Sequence, residues 1–254
     1  MTQVTFLGTG TSQGVPVIAC RCKVCKSVHP RDKRLRSSIM IKHLGKTVVI
    51  DTGPDFRQQM LRENVEQLDA VIFTHEHKDH LAGLDDVRAF NFMSKGAMDI
   101  YATERVQKAL KQEFHYAFSE EKYPGTPELV LKEIQNEKFI AAGITFEPIE
   151  VLHYKLPVFG FRFNDFTYIT DAKTISNSEK EKLKGTRFLV LNALRKSEHI
   201  SHFNLDQALE LIKEINPERA FLTHISHLMG EHSEVEHLLP DNVEIAYDGL
   251  KIQF

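Results

Sequence analysis

The chain reads as an α+β protein, and three observations lead there. Two hairpin patterns lie at residues 37–50 and 158–170, so part of the sheet is antiparallel. Helical periodicity recurs between the strand patterns, most clearly at 103–114 and 205–215. The last third alternates strand and helix, which adds parallel pairing to the hairpins.

Each element has a local reason. Residues 4–7 form a strand pattern that ends at Gly8, and Gly8-Thr9-Gly10-Thr11-Ser12-Gln13-Gly14-Val15-Pro16 must be a loop. Residues 37–43 and 47–50 flank Leu44-Gly45-Lys46 as a hairpin. Residues 56–63 read as helix, and 70–73 as a short apolar strand ending at Thr74-His75. Helices are predicted over 84–93 and 103–114, with a strand near 100–102 between them. Two Pro and a Gly make 120–127 a loop, and the broken alternation of 129–149 predicts short strands. Residues 158–163 and 166–170 pair around Asn164-Asp165. Strands at 188–191 and 220–223, helices at 205–215 and 231–238, and strands at 243–246 and 250–252 complete the chain.

Composition excludes several classes. With 254 residues, 42% apolar and 26% charged, the chain has ordinary globular composition and needs no disulfide staples. We expect one domain, 1–254. A net charge of −3 argues against a dedicated nucleic-acid binder. The basic residues Lys23, Lys26, Arg31, Lys33, Arg34 and Arg36 read as a solvated loop. No apolar run reaches the ~18 residues of a membrane span, and the first residues lack a signal-peptide pattern, so a cytoplasmic location is expected.

Histidine carries the strongest signal. Thr74-His75-Glu76-His77-Lys78-Asp79-His80 follows directly on an apolar strand. In extended chain, residues i and i+2 point the same way, so His75 and His77 converge. Asp79 and His80 follow a bend and can face a second point. Four candidate ligands in six residues suit a metal pair, and imidazole with carboxylate fits zinc, manganese, iron or nickel.

This His-x-His-x-Asp-His pattern after a strand resembles the metallo-β-lactamase superfamily. The resemblance implies a four-layer αβ/βα sandwich, two facing sheets with helices outside. It also implies a later His, Asp and His, which His153, Asp171 and His224 supply in order, each near the end of a predicted strand. By the same resemblance, His75, His77 and His153 hold one metal. Asp79, His80 and His224 hold the other, and Asp171 bridges. Asp51, in Val49-Ile50-Asp51-Thr52-Gly53, matches a position that orients metal-bound groups; taken alone it reads equally well as a turn residue.

Cys20, Cys22 and Cys25 are the only cysteines, crowded into six residues beside Arg21, Lys23 and Lys26. Crowded thiols of odd number suggest metal before disulfide, and the basic neighbours favour thiolate. A closed zinc site needs a fourth ligand from elsewhere. This group, the 8–16 loop, Leu222-Thr223-His224-Ile225-Ser226-His227 and Ala246-Tyr247-Asp248-Gly249 together resemble the phosphoribosyl cyclic phosphate phosphodiesterases of bacterial phosphonate degradation. That branch implies His227 as the fourth ligand of a structural zinc. It also implies a catalytic His, matched by His202 in Ser201-His202-Phe203-Asn204-Leu205, with His199 as competitor. The family further suggests a homodimer. The segment 112–142 departs from the family and is expected to reshape the substrate mouth.

The implied chemistry is hydrolysis of a small, cyclic phosphodiester. Two divalent metals (zinc, manganese or nickel) supply a bridging hydroxide, Asp79 partners its proton, and His202 is the general acid. The alternatives are tRNA 3′-end processing, a cofactor-biosynthesis role, and metal or nucleotide binding without turnover. The Gly8-x-Gly10 loop lacks the dinucleotide spacing and is expected to bring backbone and Ser12 to the metals. His29, His43, His115, His232 and His237 read as solvated or structural, the last two on an exposed helix face.

Overall fold

The computed structural model describes residues 1–254. Its first half supplies β1 (Thr2–Gly8), β2 (Ser38–His43), β3 (Lys46–Ile50), β4 (Ala70–Ile72), β5 (Met98–Ala102) and β6 (Leu129–Glu133). The second supplies β7 (Phe139–Ala141), β8 (Ile144–His153), β9 (Leu156–Phe163), β10 (Phe166–Ile169), β11 (Thr174–Ile175), β12 (Phe188–Asn192), β13 (Arg219–Thr223) and β14 (Val243–Ile245). The last strand, β15 (Lys251–Gln253), returns to pair with β1. Helices α1 (Lys23–Lys26), α2 (Phe56–Arg62), α3 (Lys78–Leu81), α4 (Arg88–Ser94), α5 (Glu104–Glu113), α6 (His115–Phe118), α7 (Asn177–Glu181), α8 (Leu205–Ile215) and α9 (His232–Glu236) connect them.

One sheet runs β15-β1-β2-β3-β4-β5-β6 and the other β11-β8-β9-β10-β12-β13-β14, with β7 against β8. Each is antiparallel on one side and parallel on the other. The parallel strands are β3 to β6 in the first sheet and β10, β12, β13 and β14 in the second.

Strand alternation builds the layers. Val48, Ile50 and Ile72 point inward to meet Phe146, Phe161, Phe163 and Phe166 of the facing sheet. Val49 and Val71 point outward, under Phe56 of α2, Phe90 of α4 and Leu110 of α5. In the second sheet Leu189, Leu191 and Leu222 face outward beneath Ala208, Leu211 and Ile212 of α8 and Val235 of α9. Strands covered on both faces need apolar residues at every position, which explains runs such as Phe188–Asn192. Each fully buried Phe of the inner layer contributes about 1.5–3 kcal/mol through burial. The result is the four-layer αβ/βα sandwich that the sequence predicts.

Some elements differ. The helix expected over 84–93 is a 3-10 turn, Leu84–Val87, followed by α4, which stops where Lys95 turns left-handed at φ 54°. The short strands expected within 129–149 include β8, a single ten-residue strand that carries the chain on to His153. Neither α7 nor β11 was predicted, because the polar stretch that forms them has no apolar periodicity. No helix is long and apolar enough to cross a membrane.

Candidate metal centres

The predicted ligands gather where strands end. His75 and His77 follow β4, His153 ends β8, Asp171 follows β10 and His224 follows β13. Asp51 follows β3. Open sheets of parallel strands commonly place their sites beyond the carboxyl ends, because the loops there converge. Three of these residues sit in the left-handed region: Asp51 at φ 65°, Asp171 at 58° and His224 at 57°. Such a backbone is costly for a residue with a Cβ, and its repetition at three neighbouring strand ends marks a site whose surroundings hold it in place.

The side chains converge closely. His75 Nε2 lies 3.0 Å from His77 Nδ1, and the His77 and His153 rings are 5.1 Å apart. His80 Nε2 lies 3.2 Å from carboxylate oxygens of both Asp79 and Asp171. Asp171 Oδ2 is 3.3 Å from His224 Nδ1. Donor atoms of His75, His80 and Asp171, of Asp79, His80 and His224, and of His153, Asp171 and His202 form three compact groups. His80 and Asp171 therefore stand at the middle of the array.

Asp51 orients this array rather than closing a turn. Its Oδ2 lies 2.7 Å from His80 Nδ1 and accepts the Thr74 hydroxyl at 2.8 Å. With its own proton given to Asp51, Thr74 Oγ1 is left to accept His75 Nδ1–H at 2.9 Å. One carboxylate thus holds two imidazoles in the tautomer that turns Nε2 toward the centre. His153 is set similarly, by donating Nδ1–H to Ser201 O at 2.9 Å. The loop after Asp51 packs tightly against the next: a Cβ at Gly53 would lie 2.1 Å from Asp79 O, so only glycine fits.

Electrostatics follow from burial and carboxylates. Burial holds the His75 imidazole well below its ordinary value, and the neighbouring His80 adds to this. For His80, burial is outweighed by Asp79, Asp171 and Asp51, which raise it well above. Asp171 goes the other way: burial is outweighed by His224 and His80, and the carboxyl stays ionised. The buried Nε2 of His80 and Nδ1 of His202 have no hydrogen-bond partner. Buried, unpaired ring nitrogens facing carboxylates are what a divalent cation satisfies, so the donor set fits such ions.

His202 lies over this centre because its loop is pinned. Phe203 N–H donates to Ala172 O at 2.8 Å, and Leu194 N–H to Phe203 O at 2.9 Å, while the Phe203 ring enters the outer core. The His202 ring packs 4.4 Å from His153 and 4.9 Å from His224, with Nδ1 3.7 Å from Asp171 Oδ1. Burial pushes it down to about 3, so the ring is neutral in the free protein. His199 stands further out, its Nδ1 bonded to Ser201, and joins none of the three donor groups.

Sequence reasoning missed the small polar residues of the centre. Thr11, not Ser12, approaches a ligand, with Oγ1 3.3 Å from His224 Nε2. Ser37 Oγ lies 3.2 Å from His224 Nδ1, and Thr170 donates to Asp171 Oδ2 at 2.6 Å. No residue of the segment 112–142 lines the cleft beside the donors. The cleft beside the donors is lined by His77, His153, Tyr154, Lys155, Leu156, Ile200 and Ser201.

The three cysteines surround His227. Its Nδ1 lies 3.3, 3.4 and 3.6 Å from the Sγ atoms of Cys20, Cys22 and Cys25. A tetrahedron with metal–sulfur bonds of ~2.3 Å and metal–nitrogen bonds of ~2.0 Å has such edges, ~3.5 Å. A hydrogen bond from Cys25 N–H pulls the Cys22 thiol down to about 6, and burial pushes Cys25 up to about 11. Of the basic neighbours expected to favour thiolate, Lys23 pairs instead with Glu231 and Glu234.

Two expectations about the surface fail here. Arg34 is buried, donating to Thr9 Oγ1 and Ala246 O and contacting His232 Nδ1 at 3.1 Å. His232 is likewise buried, its backbone N–H donating to Asp32. Neither residue stands on a solvated face, because they pack against each other and against Thr9, Asp32 and Tyr247. His237 is exposed as expected.

The comparisons with known proteins agree with this fold. Residues 46–225 match the model of the beta-lactamase superfamily domain. A crystal structure described as a new diphosphatase from the PhnP family is 38% identical, with a TM-score of 0.94 over 100% of this chain and 98% of that one. An octanoyltransferase of Porphyromonas gingivalis is 41% identical over 97% of this chain, which spans half of that protein's length. Zinc-bound PqqB from Methylobacterium extorquens shares the fold, at a TM-score of 0.82 and 18% identity over 99% of this chain and 100% of that one. The chain belongs to the metallo-β-lactamase superfamily and, within it, to the PhnP family.

Proposed function

We propose that this chain is a metal-dependent hydrolase of small phosphodiesters, cyclic sugar phosphates foremost. The observation that carries the reading is the convergence of His75, His77, Asp79, His80, His153, Asp171 and His224, oriented by Asp51 and roofed by His202. Divalent ions on this donor set would polarise a phosphate oxygen and bring the pKa of water toward neutrality. Asp171 lies between the donor groups and holds them together. Asp79 sits beside His80 at the same centre, where it can take a proton from attacking water. His202 is neutral in the free protein, and the charge of a bound phosphate raises its proton affinity. Holding a proton in the loaded site, it would serve as general acid to a departing oxygen from its place over the centre. Cys20, Cys22, Cys25 and His227 would hold a separate zinc that fixes the loop carrying His224.

Acyl-ester hydrolysis is a second reading, favoured by the 41% identity to an octanoyltransferase. That name belongs to a protein twice as long, and the three cysteines are gathered around His227, away from the Asp171 centre.

The test is hydrolysis of bis(p-nitrophenyl) phosphate and of p-nitrophenyl octanoate after loading with zinc, manganese or nickel. We expect turnover of the diester alone. Asp171→Ala should abolish it, and His202→Ala should lower kcat by about 10²–10⁴-fold with metal content intact. Octanoate turnover without diester turnover would replace the first reading by the second.

A further inference from the structure

One buried network is left unused by the hydrolytic chemistry. The Arg34 guanidinium, 4% exposed, donates to Thr9 Oγ1 at 2.8 Å and to Ala246 O, and its Nη2 lies 3.1 Å from His232 Nδ1. Thr9 is fully buried, and its own hydroxyl proton goes to Asp248 Oδ1 at 2.8 Å. The other carboxylate oxygen, Oδ2, accepts Leu35 N–H at 2.7 Å. The Thr9 hydroxyl is thus held twice, by a cation that donates to it and by a carboxylate that accepts from it.

The backbone of the same segment grips the loop that carries His224. Thr9 O accepts Ile225 N–H at 2.8 Å, and Thr11 N–H donates to Ile225 O at 3.0 Å. Gly10 O accepts the Ser37 hydroxyl at 2.9 Å. Both peptide groups that flank Ile225 are therefore bonded to residues 9–11, directly after His224 in its left-handed backbone at φ 57°. The rings of His80 and His153 are set by bonds to their own Nδ1. His224 is also held further back, through the main chain that follows it, and a costly backbone conformation persists only where its surroundings fix it.

We propose that Thr9 is a positioning residue of the metal centre, and that the Arg34–Thr9–Asp248 bonds hold residues 9–11 where they keep His224 on its ion. The Thr9 hydroxyl bonds to no ligand, so its loss acts through His224. This rests on the metal-binding half of the hydrolase reading and not on its substrate. A hydroxyl that served only the packing of this corner would contribute to folding and leave metal binding alone.

Thr9→Val keeps the shape and removes the hydroxyl, and Thr9→Ser returns it. In chelator competition with zinc, Thr9→Val should weaken the histidine centre about tenfold with the cysteine-bound zinc retained, and Thr9→Ser should stay within about twofold of the parent. The control is Thr167→Val, which removes another buried hydroxyl, bonded to Thr186 at 2.7 Å near the far end of β10 from Asp171. It should lower the urea midpoint and leave zinc affinity unchanged. Should Thr9→Val fail to fold, Asp248→Asn, which keeps the shape and removes the charge facing the Thr9 proton, should weaken zinc at the same centre. A Thr9→Val protein with a lower urea midpoint and the parent's zinc affinity overturns the proposal. So does an equal loss of affinity in Thr167→Val, which would make zinc binding a mere reflection of stability. If zinc weakens in Thr9→Val while the parent hydrolyses no diester, the positioning role stands and the phosphodiesterase reading falls.

Discussion

The two metal-ligand clusters solve the same problem in opposite ways. The Cys20/Cys22/Cys25/His227 group is assembled from one short loop plus one distant residue, with Cys20 and Cys22 partly open to solvent. The histidine–carboxylate centre draws on five strand ends in both sheets, with His75, His80, Asp171 and His224 buried. Three thiolates and an imidazole closing a tetrahedron on zinc would leave no vacant position, so the first cluster would brace the chain without reacting. The second carries three carboxylates, Asp51, Asp79 and Asp171, and unpaired nitrogens, and it opens to a cleft. His224 and His227 lie three residues apart on one loop, which joins the two clusters.

Three perturbations sharpen the contrast. The largest effect is expected from Asp51→Asn, which keeps the shape but loses the charge that sets His75 and His80. Metal affinity at the centre should fall about 10–100-fold in a chelator competition, with the cysteine-bound zinc retained. An unchanged affinity would show that strand geometry alone holds these rings. Next, Cys22→Ser should release one equivalent of zinc and lower Tm by about 5–10 °C, since ~1 kcal/mol corresponds to ~2–4 °C at this size. If Tm stays constant, the cluster braces nothing.

The smallest effect tests the packing of His232 against Arg34. Burial and the Arg34 and Arg31 charges hold His232 down at about 4, against 6.5 for a free imidazole. The unfolded chain therefore binds a proton between pH 6.5 and 4 that the folded chain does not. The associated stability is complete above pH 6.5 and is lost as pH falls toward 4. Asp248, pushed up to about 6 by its burial, has the opposite slope, so the difference between wild type and His232→Gln isolates the histidine. Urea midpoints at pH 7 and pH 5 should drop more for wild type than for the variant.

The comparison also explains what could be read from the sequence. His75, His77, Asp79 and His80 are visible because their chemistry is local: four donors in six residues have few other uses. The cysteines are visible for the same reason. His153, Asp171 and His224 are ordinary alone and gain meaning only as an ordered set at strand ends. Thr11, Ser37, Thr74 and Thr170 stayed hidden, since small hydroxyl residues are common and their role is set by tertiary contact. The burial of Arg34 and His232 was misread because charge in a loop normally faces water.

The pairing of β15 with β1 has a mechanical consequence. Thr2 and Phe254 exchange backbone hydrogen bonds of 2.9 and 3.1 Å, so the two chain ends leave the sheet at the same point. Tension applied between them loads that antiparallel ladder one rung at a time, like a zip, rather than shearing all its rungs together. The molecule should thus yield to a weak pull at this edge while its layered interior still holds. The first residues to come away are those of β15, drawing Phe254 from its stack on Phe166 and Phe188 while both metal clusters are still intact.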